Sequence, residues 1–162
     1  RQMCIRDSIK SMSKLIDNKS LKISKNNFLI LKNIGPKTVY GMPEAGYLPI
    51  PKKLLKSGVK DMIRISDGRM SGTAFGTIIL HVSPESSVGG PFSIIKNGDK
   101  IKLSVKNKRL DLIISKNELK NRLSKQISKK IPNIKRGYLK LYYDSVLQAH
   151  EGCDFDFLQY KK

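Results

Sequence analysis

The chain has 162 residues, of which 39% are hydrophobic, long enough for one domain with a core of its own. No run approaches the roughly 18 consecutive apolar residues of a membrane span. Its two cysteines, Cys4 and Cys153, make neither a disulfide framework nor a zinc pattern, so a reduced, cytoplasmic setting is expected.

The net charge of +19 comes from 32 basic against 13 acidic side chains. Such a balance invites a nucleic-acid reading. Against it, the basic residues are spread along most of the chain. No RNP-like aromatic motif, zinc finger or glycine-lysine phosphate loop accompanies them. The densest part, residues 116–140, places lysines and arginines around Leu119, Leu123 and Ile127. That four-residue spacing predicts a helix with one buried face and a solvated basic one.

Taken in chain order, residues 1–8 lack the apolar core of a signal peptide and read as an extraneous N-terminal segment. Residues 9–162 read as the domain itself. Helical spacing of Ile9, Met12, Leu15 and Ile16 predicts a short helix, ended by Asn18-Lys19-Ser20. The continuous apolar run Phe28-Leu29-Ile30-Leu31 predicts a strand buried on both faces, broken at Asn33-Ile34-Gly35-Pro36. A loop rich in Gly and Pro follows, to Pro51. Residues 52–57 predict a helix that buries Leu54 and Leu55 and stops at Gly58. Strands are expected over 61–66, 77–82 and 92–95. Ile101, Leu103 and Val105 alternate with polar residues, then return through Leu110, Leu112 and Ile114, a hairpin with one buried face. Ser115 and Glu118 suit a capping box at the start of the basic helix, which Pro132 ends or interrupts. Residues 139–149 read as a final helix or extended packing segment. Short strands mixed with a few helices predict an α+β domain, with a small β-barrel-like sheet and flanking helices as its architecture.

Between two of these strands lies Asp67-Gly68-Arg69-Met70-Ser71-Gly72-Thr73. Polar residues flanked by Gly68, Gly72 and Gly76 read equally as a plain turn or as a site where backbone approaches a ligand. Glu44, in the earlier loop, reads by itself as a solvated carboxylate. His81 reads as a satisfied core histidine or a substrate contact. Asp67 and Arg69 read as a pair, or as groups that orient the loop.

Read together, the motifs are more specific. Gly41-Met42-Pro43-Glu44, Asp67-Gly68-Arg69-Met70-Ser71-Gly72-Thr73 and His81-Val82-Ser83-Pro84-Glu85 are followed by Gly89-Gly90-Pro91, Asn97-Gly98-Asp99 and Gly152-Cys153-Asp154-Phe155-Asp156-Phe157. In this order they resemble the C-terminal part of the dihydroxy-acid and phosphogluconate dehydratases. Pro43, Met70 and the run Leu48-Pro49-Ile50-Pro51-Lys52-Lys53 are most similar to the sugar-acid branch, which acts on aldonic acids such as arabinonate or xylonate.

The resemblance implies a hydro-lyase that converts a 2,3-dihydroxy acid to a 2-oxo acid, on a swivel-type β-barrel-like domain. It implies a magnesium ion with Glu44 among its ligands, Ser71 as the base and Thr73 as a substrate-positioning hydroxyl. It also implies an iron–sulfur cluster, of 2Fe–2S type, held by cysteines of an N-terminal domain or partner chain, which leaves Cys153 structural. Members form dimers or higher oligomers. On this reading the chain is inactive alone. The alternative is a catalytically silent basic module, on the same fold, that binds nucleic acid or another polyanion.

Overall fold

The computed structural model describes residues 3–6 (backbone), 16–18, 20–38, 41–126 and 134–160. Strands β1 (Met3–Arg6), β2 (Phe28–Leu31), β3 (Arg64–Ser66) and β4 (Ile78–Ile79) form one parallel sheet in that spatial order. Ile30 stands opposite Ile65 and Ile65 opposite Ile79. β1, within the segment that the sequence sets apart, pairs along its length with β2. Strands β5 (Lys100–Ser104) and β6 (Arg109–Ile113) form a separate antiparallel hairpin with Leu103 opposite Leu110. The architecture is therefore mixed helix and strand in two small sheets. Among the described residues no ladder closes them into a barrel.

β2 organises both cores. Successive side chains of a strand point to opposite faces. Leu29 and Leu31 enter a cluster with Ile34, Leu48, Ile50, Met62 and Met70. Phe28 and Ile30 enter the other, with Ile65, Phe92, Ile95 and Ile101. Leu29, Ile30 and Leu31 are fully buried, and each contributes roughly 1.5–3 kcal/mol through apolar burial. The hairpin closes the second cluster through Ile101, Leu103, Leu110 and Leu112, while Lys100 and Lys102 face solvent. Val105 lies beyond β5 in the turn and is 80% exposed, not on the buried face as the alternation predicts.

Helix α1 (Lys52–Lys56) starts at Pro51, and Gly58 leaves it at φ 83°. Leu54 packs on the first cluster, but Leu55 points outward and is 50% exposed. Helix α2 (Lys116–Ser124) is capped by Ser115, whose Oγ accepts the Glu118 N–H at 3.1 Å. The Glu118 carboxylate turns to Arg122 instead of back to the cap. Arg122 also grips Asp99 through two hydrogen bonds of 2.5 and 3.0 Å. Helix α3 (Tyr138–Ser145) is followed by a bridge from Val146 to Phe155 and by single 3₁₀ turns at Ala149–Glu151 and Asp156–Leu158.

Residues 91–94 are turn, not the strand expected over 92–95. The Ser93 N–H and hydroxyl both donate to the Gly90 carbonyl, yet Phe92, Ile94 and Ile95 are still buried. The strands expected over 61–66 and 77–82 are shorter, and His81, at φ 55°, ends the second extended run. The helix expected over 9–16 lies outside the described residues except for buried Ile16, and Ile127 and Pro132 lie outside them entirely. No helix among the described residues is long and apolar enough to cross a membrane.

Candidate functional site

In an open parallel sheet, loops leaving the carboxyl ends of adjacent strands share one edge, the usual place for a ligand. Here β2 leads toward Gly41-Met42-Pro43-Glu44, β3 into the Ser71 loop and β4 into His81-Val82-Ser83-Pro84-Glu85. Three sequence motifs thus leave the same edge of one sheet.

Backbone hydrogen bonds hold the first two loops side by side. Glu44 and Arg69 form a parallel bridge. Ala45 N–H donates to the Arg69 carbonyl at 2.9 Å, and Ser71 N–H donates to the Gly46 carbonyl at 2.8 Å. Arg69 Nε reaches the Met42 carbonyl at 3.3 Å. Asp67 and Arg69 therefore do not pair with each other. Asp67 is fully buried and accepts the N–H groups of Asn33, Ile34 and Ser86 at 3.0, 3.2 and 2.9 Å. One carboxylate in this way ties together the loops that follow β2, β3 and β4. Met70 anchors the Ser71 loop in the first hydrophobic cluster.

At the tip, Ser71 Oγ lies 2.9 Å from Thr73 Oγ1 and accepts the Thr73 N–H at 3.3 Å. Ser71 is half-buried, and Thr73 and Glu44 are exposed. Hydrogen-bond donors aimed at an oxygen favour its ionised form. The Thr73 hydroxyl and N–H can both serve Ser71 that way. The Glu44 carboxylate joins no ion pair among the described residues.

The motif's glycines serve packing as well as access. A Cβ on Gly68 would lie 2.5 Å from the Ile34 side chain. Gly76, at φ 93°, would put one 2.2 Å from Asp61 Oδ1. A Cβ at Gly72 would meet nothing within 4 Å.

The C-terminal segment supports the Glu44 loop from behind. Tyr142 and Tyr143 hydroxyls donate to the Pro36 and Thr38 carbonyls at 3.0 and 2.5 Å, and Lys37 Nζ donates to the Tyr143 carbonyl at 3.1 Å. Cys153 Sγ lies 3.7 Å from Met42 Sδ, and burial, then the Glu85 charge, push its thiol above the usual range. His81 is exposed at φ 55°, not a core histidine.

Glu85 is the group that sequence reasoning misses. It is 1% exposed, and its Oε1 accepts Lys37 N–H at 2.7 Å and Gln148 Nε2 at 3.2 Å. Its Oε2 has no hydrogen-bond partner. Burial pushes its carboxyl up from 4.5 to about 6, against the lowering effect of Gln148 and Lys37. In the sequence its only signal is an acid within a Ser-Pro-Glu turn.

Magnesium takes oxygen ligands, and the exposed Glu44 carboxylate has suitable donor chemistry. No group of three or more His, Cys, Asp and Glu side chains among the described residues could hold a metal, so Glu44 would be one ligand of a shell completed from elsewhere. An iron–sulfur cluster does not fit this chain. Clusters are held by several cysteines, and the sequence has two, one of them packed against Met42.

The chain matches the family model described as dihydroxy-acid/6-phosphogluconate dehydratase C-terminal over residues 2–153. It is 49% identical to an L-arabonate dehydratase of Azospirillum brasilense, over 88% of this chain and 25% of that protein. It is 46% identical to a 6-deoxy-6-sulfo-D-gluconate dehydratase of Pseudomonas putida, over 94% of this chain and 26% of that protein. A dihydroxy-acid dehydratase of Saccharolobus islandicus (strain Y.G.57.14 / Yellowstone #1) is 39% identical over 82% of this chain and 23% of its own length. The chain spans about a quarter of the length of the curated relatives it matches. With its motif loops gathered at one sheet edge and this match along nearly its whole length, the chain belongs to the dihydroxy-acid/6-phosphogluconate dehydratase family, and corresponds to the C-terminal part of its members.

Proposed function

We propose that the chain is the C-terminal part of a hydro-lyase that dehydrates a sugar acid to a 2-oxo acid. In this reading Ser71 is the base, Thr73 positions substrate and Glu44 is a metal ligand. The observation that carries it is the pairing of the two loops, through the Glu44–Arg69 bridge and the Ser71 N–H bond to Gly46. The backbones of the Glu44 and Ser71 loops lie side by side, which supports a site shared by the two residues.

Glu44 would help hold a divalent cation, whose charge would stabilise negative charge that develops on the acid end of the substrate. Ser71 Oγ, as alkoxide, takes the proton from C2, and the C3 hydroxyl leaves as hydroxide, which recovers that proton from Ser71 and departs as water. The resulting enol tautomerises to the 2-oxo acid, with net loss of one water and no change of oxidation level. Thr73 donates to Ser71 Oγ, or to a substrate hydroxyl once one is bound. The remaining metal ligands, and any group that assists the leaving hydroxyl, come from an N-terminal domain or partner chain. The 162-residue chain alone therefore forms no 2-oxo acid.

The sugar-acid substrate class is favoured by the closer identity to relatives named for sugar acids, 46–49%, than to the dihydroxy-acid dehydratase, 39%. The test is 2-oxo acid formation by the complete polypeptide, N-terminal part included, on L-arabinonate and on a branched-chain 2,3-dihydroxy acid. Turnover with a higher kcat/KM on arabinonate is expected. Higher kcat/KM on the branched-chain acid overturns the substrate assignment, and no turnover on either overturns the reading.

A further inference from the structure

Arg64, on β3, is fully buried, which is rare for a guanidinium and costly unless its N–H groups find acceptors. It finds them on both arms of the site. Nε donates to the Leu48 carbonyl at 2.8 Å and Nη2 to Tyr47 Oη at 2.5 Å, both in the segment that continues from Glu44. Nη1 lies 3.3 Å from the Phe75 carbonyl, two residues beyond Thr73, and also bonds Asp61 Oδ1 and the Met62 carbonyl, each at 3.1 Å. The Tyr47 ring stacks on Phe75, centroids 5.3 Å apart, with the Arg64 guanidinium 4.7 Å from the Tyr47 centroid. Asp61 extends the junction, since its Oδ2 accepts both the N–H and the hydroxyl of Thr77 at 3.0 and 2.8 Å. The close approach of Gly76 to Asp61 leaves no room for a side chain on the return arm.

We propose that Arg64, acting through Tyr47 and the Phe75 carbonyl, is a positioning residue that sets the separation of Glu44 and Ser71. The proposal rests on the reading of those two residues given above. The fork of a guanidinium reaches acceptors in several directions at fixed angles, which a lysine ammonium cannot reproduce. Tyr47 is the most informative probe, because Tyr47→Phe removes one hydrogen bond and keeps the ring stack.

The test compares kcat, KM and thermal unfolding of the complete polypeptide with those of its Y47F, R64K, I101V, E44Q and S71A variants. Ile101→Val serves as a destabilising change in the hairpin core, remote in sequence from both loops. A displacement of reacting groups by about an ångström costs up to ~100-fold in rate. Y47F is therefore expected to lower kcat roughly tenfold, R64K further, with KM for the acid within about twofold. I101V lowers the melting temperature and leaves kcat alone. If Y47F and R64K also lose only melting temperature, Arg64 is a purely structural residue and the proposal is overturned. If R64K fails to fold, Y47F alone decides between these outcomes. Undiminished turnover in E44Q and S71A would instead remove the site itself, and the proposal with it.

Discussion

Replacing Glu85 by glutamine should remove one pH dependence of stability. The carboxyl is 1% exposed, and burial raises it from 4.5 to about 6. A raised carboxyl favours the protonated native state, so its contribution is fully present below 4.5 and is lost as pH rises through 6. The full shift, about 1.5 units, corresponds to about 2 kcal/mol at 1.36 kcal/mol per unit. Titration is partial at the limits of a practical range, so the difference expected between pH 4.5 and pH 7.5 is about 1.5 kcal/mol. Glutamine keeps an oxygen for Lys37 N–H and Gln148 Nε2 and places its amide nitrogen where Oε2 has no partner. Urea unfolding of the wild-type chain and E85Q at both pH values gives the double difference, in which the depressed carboxyls, such as Asp61 and Asp99, cancel. E85Q should gain about 1.5 kcal/mol relative to wild type between the lower and the higher pH. An equal offset at both pH values, or a relative loss at the higher one, refutes the assignment of a charge held unfavourably at Glu85.

Asp67→Asn removes the negative charge and turns one acceptor into a donor facing a backbone N–H. At about 1–3 kcal/mol for each hydrogen bond left unmade, a loss of about 3 kcal/mol in urea unfolding is expected. Ile30→Ala, at the centre of the second cluster, should cost about 2–5 kcal/mol in the same measurement. Glu44→Gln should raise the magnesium concentration needed for half-maximal activity of the complete polypeptide at least tenfold, because a neutral amide is a weaker ligand for a hard cation. An unchanged magnesium dependence would take Glu44 out of the metal shell.

Much of the fold was legible where one local signal dominates. The apolar run of β2 and the alternation in β5 and β6 specify strands because each residue's face is set by a period of two. The Ser115 cap is a local hydrogen bond and can be read from spacing. Residues 92–95 misled because a turn can bury Phe92 and Ile95 as well as a strand can. Leu55 misled because a five-residue helix presents only one side to the core. For the site, ordered motifs pointed to Glu44, Ser71 and Thr73, but their spacing could not reveal the ladder between the two loops. Glu85, Arg64 and the partners of Asp67 were illegible for a common reason. A buried charge is tolerated only through acceptors and donors that arrive from distant segments, and composition carries no trace of those partners.

In the proposed reaction Ser71 removes the C2 proton. This role is tested most directly by following exchange of that proton with deuterated solvent, by NMR, in the complete polypeptide and its Ser71→Ala variant with L-arabinonate. Exchange or turnover-linked loss of the C2 proton is expected in the wild type. In S71A that rate should fall by about three orders of magnitude, a loss typical of removing a positioned general base, while the variant keeps the wild-type unfolding transition. C2 proton loss in S71A at a rate near wild type would contradict that role.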